Sequence, residues 1–289
     1  MVDALSPLLA LNDGASMPQL GLGVYKTTDA QSADAVDTAL RLGYRLVDTA
    51  SMYLNEVGVG EGVRRSGVPR SEVFVATKVW FTENGYDSTL RSFDESLSRL
   101  GTDYVDLYLI HWPAPLHDRY VDTWRALLAL RESGRARSIG VSNFHPKHVT
   151  RIVEETGVVP AVNQVELHPW LPQTALREFD ASLGIVTQAW SPLARGHVFD
   201  AAPAGATSAA GAAGSVLAAL AAKHGRTPAQ IVLRWHVQLG DSVIPKSVNP
   251  ARIAENIAVF DFALDSDDLA AIATLETGTR TGVDPDDRN

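Results

Sequence analysis

The stretch Val105-Asp106-Leu107-Tyr108-Leu109-Ile110-His111 reads as a strand in which Val105, Leu107, Leu109 and His111 share one face. A face that is apolar along its length and ionisable at its carboxyl end is what the lining of a closed parallel barrel looks like, with chemistry at the rim. Two earlier runs end in the same manner. Leu46-Val47-Asp48 ends in an acid, with Tyr53 soon after, and Val73-Phe74-Val75-Ala76-Thr77-Lys78 ends in a lysine. Neighbouring parallel strands lie roughly 5 Å apart, so groups at their matching ends can meet. Asp48, Tyr53, Lys78 and His111 are therefore the candidate chemical centre.

Outward from this centre the chain alternates. Strand-like runs at residues 21–24, 45–48, 73–78, 105–111, 138–142, 161–166, 185–190 and 242–246 are each followed by a helical pattern. The helical patterns fall at 30–42, 56–65, 88–100, 121–132, 147–155, 173–183, 215–224, 228–239 and 251–259. Strand alternating with helix implies parallel sheet under helical cover, and eight such units in one chain imply an α/β fold of the (β/α)8 TIM-barrel type. An open doubly wound sheet shares the alternation and stands as the alternative. Residues 8–20, turning at Asn12-Asp13-Gly14, predict an N-terminal β-hairpin, and extra helices are expected late in the chain. Residues 1–289 are expected to form one barrel domain. Within it, the Ala/Gly-rich run 200–215 reads either as a mobile loop on the active face or as a linker without a role, and 277–289 as a polar tail.

Composition bounds the function. A chain of 289 residues that is 45% hydrophobic and 20% charged can bury a large core and is not disordered. Its net charge of −9 argues against nucleic acid as a partner, though not against a local positive pocket for an anionic cofactor. The absence of cysteine excludes disulfides and thiolate metal sites. Neither a signal peptide nor a membrane-spanning run is legible, so a soluble, cytoplasmic, monomeric protein is expected.

Other motifs fail on inspection. Gly21-x-Gly23 lacks the third glycine of a dinucleotide fingerprint, since Lys26 holds that place, and no phosphate-binding P-loop or His-Glu-x-x-His is present. His111, His168 and Asp48 could make a metal-dependent hydrolase, but Lys78 would compete for the metal's place, so no metal is expected. His168 reads more simply as a structural histidine.

The four groups suit a particular task. A tyrosine normally titrates near pH ~10, and a neighbouring ammonium lowers that value by stabilising the phenolate. Lys78 is the candidate cation, Asp48 its counter-ion, and His111 a hydrogen-bond donor beside the Tyr53 hydroxyl. Together they would protonate a carbonyl that is gaining negative charge as hydride attacks its carbon. No side chain supplies hydride, so a nicotinamide cofactor is required.

At these residues the sequence resembles the aldo-keto reductase superfamily. Asp48-Thr49-Ala50-x-x-Tyr53 with Asn55-Glu56, Ala76-Thr77-Lys78-Val79-Trp80 and Leu107-Tyr108-Leu109-Ile110-His111-Trp112-Pro113 are similar to its catalytic strands. Gly140-Val141-Ser142-Asn143-Phe144 and Asn163-Gln164-Val165-Glu166 are similar to its cofactor-facing ones. The resemblance implies Tyr53 as general acid and base, Lys78 and Asp48 as its tuning pair, and His111 as the orienting group. It implies Trp190 stacked on nicotinamide, Ser142, Asn143 and Gln164 on the carboxamide, and Ser191 and Leu193 along the pyrophosphate. Ile244-Pro245-Lys246-Ser247-Val248 with Arg252 resembles the pocket for an adenosine 2′-phosphate, which implies NADPH, and NADP+ in reverse, over NADH. Glu255 and Asn256 would face the adenine. Tyr25, Trp80 and Trp112 are expected to wall the substrate, a small aldehyde, ketone or dicarbonyl. The subgroup resembled is that of the bacterial 2,5-diketo-D-gluconate reductases, which also carry tryptophan at the position of Trp190. A nicotinamide-binding sensor or regulatory subunit shares the fold and remains the rival reading.

Overall fold

A computed structural model of the chain describes residues 6–199 and 209–289. Eight parallel strands form one sheet in strict chain order: β3 (Leu22–Gly23), β4 (Leu46–Asp48), β5 (Phe74–Val79), β6 (Val105–Ile110), β7 (Ala136–Ser142), β8 (Val162–Glu166), β9 (Val186–Trp190) and β10 (Ser242–Val243). The sheet curls shut. Parallel bridges pair Leu20 with Val243 and Gly23 with Lys246, and the Gly21 and Gly23 amides donate to the Val243 and Pro245 carbonyls at 2.9 and 3.1 Å. This closure excludes the open sheet. Gly23 is needed at the seam because a Cβ there would stand 3.0 Å from the Ile244 carbonyl oxygen.

The hairpin pairs β1 (Leu8–Ala10) with β2 (Ser16–Pro18) in antiparallel register. Its Leu11 and Met17 pack with Leu46, Phe74, Val162 and Val186, the first residues of their strands. The hairpin thus plugs the amino end of the barrel and leaves the carboxyl end for chemistry. Leu107 and Leu109 belong to this inner cluster, as parity predicts. Val105 does not; at the strand's start it packs with the outer layer between sheet and helices.

Helices α1 (Asp29–Arg41), α2 (Glu56–Ser66), α3 (Tyr86–Leu100), α4 (Tyr120–Glu132), α5 (Pro146–Thr156) and α6 (Thr174–Ser182) follow the first strands in turn, then α7 (Ala209–His224), α8 (Pro228–Gln238), α9 (Pro250–Ile257) and α10 (Ser266–Ala273). Their ends carry local signals. Thr28 and Gln31 form a capping box at α1, and Gly67 and Gly101 take the left-handed conformation that stops α2 and α3. Two expectations differ from the structure. Helix α7 begins at Ala209 rather than Ser215, so the end of the Ala/Gly-rich run is helical; the run's earlier part lies outside the described residues. Helix α10, one of the extra late helices, opens with a capping box of Asp265 and Asp268. Strand β10 is shorter than expected, because Pro245 has no N–H to offer a ladder. Among the described residues no helix is long and apolar enough to cross a membrane.

Candidate active site

Asp48 closes β4, Lys78 lies one residue from the end of β5, and His111 follows β6 directly. The strand register places Asp48 beside Ala76 and Lys78 beside Leu109, so all three side chains meet at one rim. Lys78 is fully buried. Its Nζ donates to both Asp48 oxygens, at 2.8 and 2.7 Å, and to the Thr49 carbonyl at 2.8 Å. An ammonium has three N–H groups, and these three acceptors use them all. The second Asp48 partner is Gln164, whose Nε2 donates to Oδ1 at 2.7 Å and to Gln188 Oε1 at 2.6 Å.

Tyr53 is carried on a single 3-10 turn, Ser51–Tyr53, between β4 and α2. Buried polar contacts fix that turn: Thr49 Oγ1 donates to Asn55 Oδ1 at 2.8 Å, Asn55 Nδ2 to the Val24 carbonyl at 2.8 Å, and Ser51 Oγ to the Lys78 carbonyl at 3.0 Å. Glu56, next in the motif, is buried and accepts from Thr77 Oγ1 and Arg99 Nε. The Tyr53 ring then lies 5.2 Å from Lys78 Nζ and 5.6 Å, edge to face, from the His111 ring.

Its electrostatics correct the sequence expectation. Burial pushes the Tyr53 phenol well above its ordinary value, and the Asp48 and Tyr25 charges add to the rise. The nearby Lys78–Asp48 pair does not reverse this rise; burial lowers the Lys78 amine itself, against the opposing pull of that carboxylate. The phenol is therefore a firmly protonated donor rather than an acidified one. Burial likewise holds the His111 imidazole well below its usual range, helped by the Lys78 and Arg288 charges, so the ring is neutral.

One cavity of about 1120 Å³ opens over this rim. Asp48, Tyr53 and His111 lie at its base, with Tyr25, Trp80 and Trp112 among its walls. Trp80 touches His111 edge to face at 5.0 Å and Tyr25 tilts against Tyr53 at 4.9 Å. Asn143, Gln164, Trp190, Ser191 and Leu193 line the middle. Asn143 adopts φ 60°, which asparagine tolerates, and this turns its Oδ1 to accept from Trp190 Nε1 at 2.8 Å while Nδ2 donates to the His111 carbonyl. Lys246, Ser247, Arg252, Glu255 and Asn256 line the far end.

Three expected residues, Ser142, Val248 and Lys78, are not among the lining. Ser142 is fully buried and donates to the Gln164 carbonyl at 2.8 Å; Val248 is exposed outside the cavity. Ser247 turns its hydroxyl onto Asn249 in its own turn. Lys78 lies beneath the floor, joined to the cavity by its contact with Asp48. His168 is also away from the lining, with its imidazole 3.1 Å from Glu166, so it does not join His111 and Asp48.

Several lining residues went unseen in the sequence. Lys26 and Arg195 are cations flanking segments already singled out, and that adjacency was a usable signal. Thr281, Gly282, Val283 and Arg288 belong to the polar tail, where nothing local marks them. The tail is held by Glu166 at the end of β8. Its carboxylate accepts from the Thr281 amide at 2.5 Å, the Thr281 hydroxyl at 2.6 Å and the Gly282 amide at 3.1 Å. A Cβ on Gly282 would come within 2.6 Å of the Trp190 indole, so glycine permits this approach.

Known proteins match along most of the chain. The model of the aldo/keto reductase family fits residues 17–277. An aldo-keto reductase of Mycolicibacterium smegmatis is 54% identical over 281 residues, covering 97% of this chain and 98% of its own. Methylglyoxal reductase DkgA of Salmonella typhimurium is 47% identical over 281 residues, covering 96% and 97%. A crystal structure of a Gox0644 mutant in complex with NADPH superposes with a TM-score of 0.90 at 48% identity, covering 98% of this chain and 99% of that one.

Proposed function

The chain belongs to the aldo/keto reductase family, and from that premise we propose that it is an NADPH-dependent carbonyl reductase in which Tyr53 delivers the proton. The observation that carries this reading is a buried Lys78–Asp48 pair, with the Tyr53 ring 5.2 Å from the ammonium, beneath a cavity of about 1120 Å³, room for a dinucleotide and a small substrate. The cavity suits such a ligand in charge as well as size. Among the described residues Lys26, Arg195, Lys246, Arg252 and Arg288 line it against only Asp48 and Glu255, in a chain of net charge −9. Both acids are engaged, Asp48 by Lys78 and Glu255 by the Thr227 hydroxyl at 2.5 Å. The positive surplus is left to meet phosphate groups. Trp190, its indole N–H tied to Asn143, offers a flat face for a nicotinamide beside Tyr53 and His111. Lys246 and Arg252 are exposed and have no carboxylate partner among the described residues, which supports a 2′-phosphate and hence NADPH over NADH. The solved relative in complex with NADPH supports the same cofactor.

The bound nicotinamide supplies the hydride. The chain's residues do the rest. His111 Nδ1 is buried without a partner, so we place the imidazole proton on Nε2, where it can donate to the substrate oxygen and hold the carbonyl beside the Tyr53 hydroxyl. Tyr53, kept protonated by its burial, gives its proton to that oxygen as charge develops there. The phenolate left behind faces the Lys78 ammonium, which limits its cost. The aromatic walls Trp80 and Trp112 exclude water from the site. The methylglyoxal reductase among the relatives supports small dicarbonyls as substrates, and we place the chain near the bacterial 2,5-diketo-D-gluconate reductases. A single catalytic domain, working as a monomer in the cytoplasm, completes the reading.

Tyr53→Phe tests it. Turnover of NADPH with methylglyoxal should fall by about 10²–10⁴ fold, while NADPH still quenches the tryptophan fluorescence of the variant. Unchanged turnover would remove Tyr53 from the chemistry, and turnover absent from the wild type across a carbonyl panel would favour a sensor.

A further inference from the structure

We propose that Arg288 binds an anionic group on the substrate, so that this reductase prefers carbonyl compounds that carry a carboxylate a short chain away from the reacting carbon. The proposal rests on the reductase reading above and names the class of substrate for the same site.

The Arg288 guanidinium lies over three rings, 5.1 Å from Trp80, 5.6 Å from Phe81 and 5.7 Å from Trp112. Two of these rings wall the cavity at the catalytic end, and Arg288 itself is part of the lining. Trp80 also touches His111 at 5.0 Å, so a single indole separates the cation from the imidazole that would hold the carbonyl. The Arg288 charge is near enough to help depress that imidazole.

Among the described residues no acid answers this cation. Among the described residues Arg288 has no ion pair, and its Nε is buried without a hydrogen-bond partner. Two carboxylates of the tail are engaged elsewhere, and Asp287, beside Arg288 in the chain, makes no ion pair with it. Asp284 pairs with Arg280 and His145 at 3.2 Å each, and Asp286 with Lys147 at 2.6 Å. A guanidinium stacked on aromatic faces keeps its N–H edge free, and that planar fork matches a carboxylate. Stacking alone would satisfy the charge in part but leaves a buried N–H with nothing to donate to.

Position is fixed from both sides. The carbonyl of Trp170 accepts from the amides of Thr277 and Gly278 at 3.0 and 2.9 Å, Glu166 holds Thr281 and Gly282, and Asn289 Oδ1 accepts from the Leu116 amide at 2.8 Å. The tail is thus anchored on both sides of Arg288, although it is a segment without regular structure.

Matched substrate pairs test the idea: succinate semialdehyde against butanal, and 2-carboxybenzaldehyde against benzaldehyde, at saturating NADPH. The wild type should show a kcat/KM ratio of acid to neutral compound above about ten, and Arg288→Gln should lower that ratio about tenfold or more. Arg288→Lys, which keeps charge but loses the fork, should fall between. An equal loss on both members of each pair would reduce Arg288 to a tail clamp, and a wild type without preference would overturn the proposal outright. Binding is read separately by quenching of tryptophan fluorescence with 2-carboxybenzaldehyde in the presence of NADP+. A tenfold weaker quench in Arg288→Gln supports the carboxylate site even if no aldehyde turns over, an outcome that would sink the reductase reading alone. An equal quench in both forms sinks the carboxylate site.

Discussion

The two ends of the cavity handle charge in opposite ways. Under the rim of β4–β6, Lys78 and Asp48 are buried, touch each other and cancel. Just past β10 and on α9, Lys246 and Arg252 are exposed and have no ion pair among the described residues. A charge removed from water must find its counter-charge within the protein, whereas one left in water can wait for a ligand. On the reading proposed above, the same kind of group would serve folding at one end and recognition at the other, and substitutions should separate the two.

The largest effect is expected at the buried end. Asp48→Ala strands an ammonium at zero exposure and should cost about 3–5 kcal/mol of stability, measured by urea unfolding, besides suppressing turnover. A midpoint unmoved in urea would mean that Lys78 sheds its proton freely and that the pair does not support the fold.

At the open end the effect should appear in binding. Lys246→Ala and Arg252→Ala should each weaken NADPH by about tenfold or somewhat more, the worth of a hydrogen bond to a charged group, and change NADH by less than about twofold. Stability should stay within about 0.5 kcal/mol of wild type, as for other surface changes. Equal weakening of both nucleotides would erase the contrast between the two ends.

The smallest effect is one of pH. Because burial raises the Tyr53 phenol, the reduction rate should show no tyrosine-linked fall between about pH 7 and about pH 9, below the free phenol's ~10. Stability from the protonated phenols of Tyr53 and Tyr108, both raised by burial, is present below about pH 10 and lost as pH rises above it. His111 has the opposite sign: its lowered value gives stability that is present above about pH 6.5 and lost as pH falls. A rate limb near neutral pH that vanishes in Tyr53→Phe would contradict the raised phenol.

Much of this was legible in the sequence because strand parity is local. Asp48, Lys78 and His111 fall at the ends of apolar runs, and a run needs no partner to be read. The direction of the Tyr53 shift was not legible, since it is a balance between burial, Asp48 and Lys78 that depends on distances among four segments. The tail was equally opaque. Glu166 and Thr281 meet only after folding, and nothing near Arg288 in the chain foretells the three rings beneath it. Ser142 satisfied a motif yet turned inward to the Gln164 carbonyl, a reminder that a motif fixes residue types before it fixes their directions.

The suture between β3 and β10 has one more implication. It joins segments at opposite ends of the sequence, through Leu20–Val243 and Gly23–Lys246, so the ring can be completed only after nearly all of the chain has been ordered. Lys246 is at once a stitch in that suture and a cation facing the cavity. An anion gripping Lys246 would therefore act as a clasp, and nucleotide occupancy would slow the ring's opening as well as prepare it for turnover.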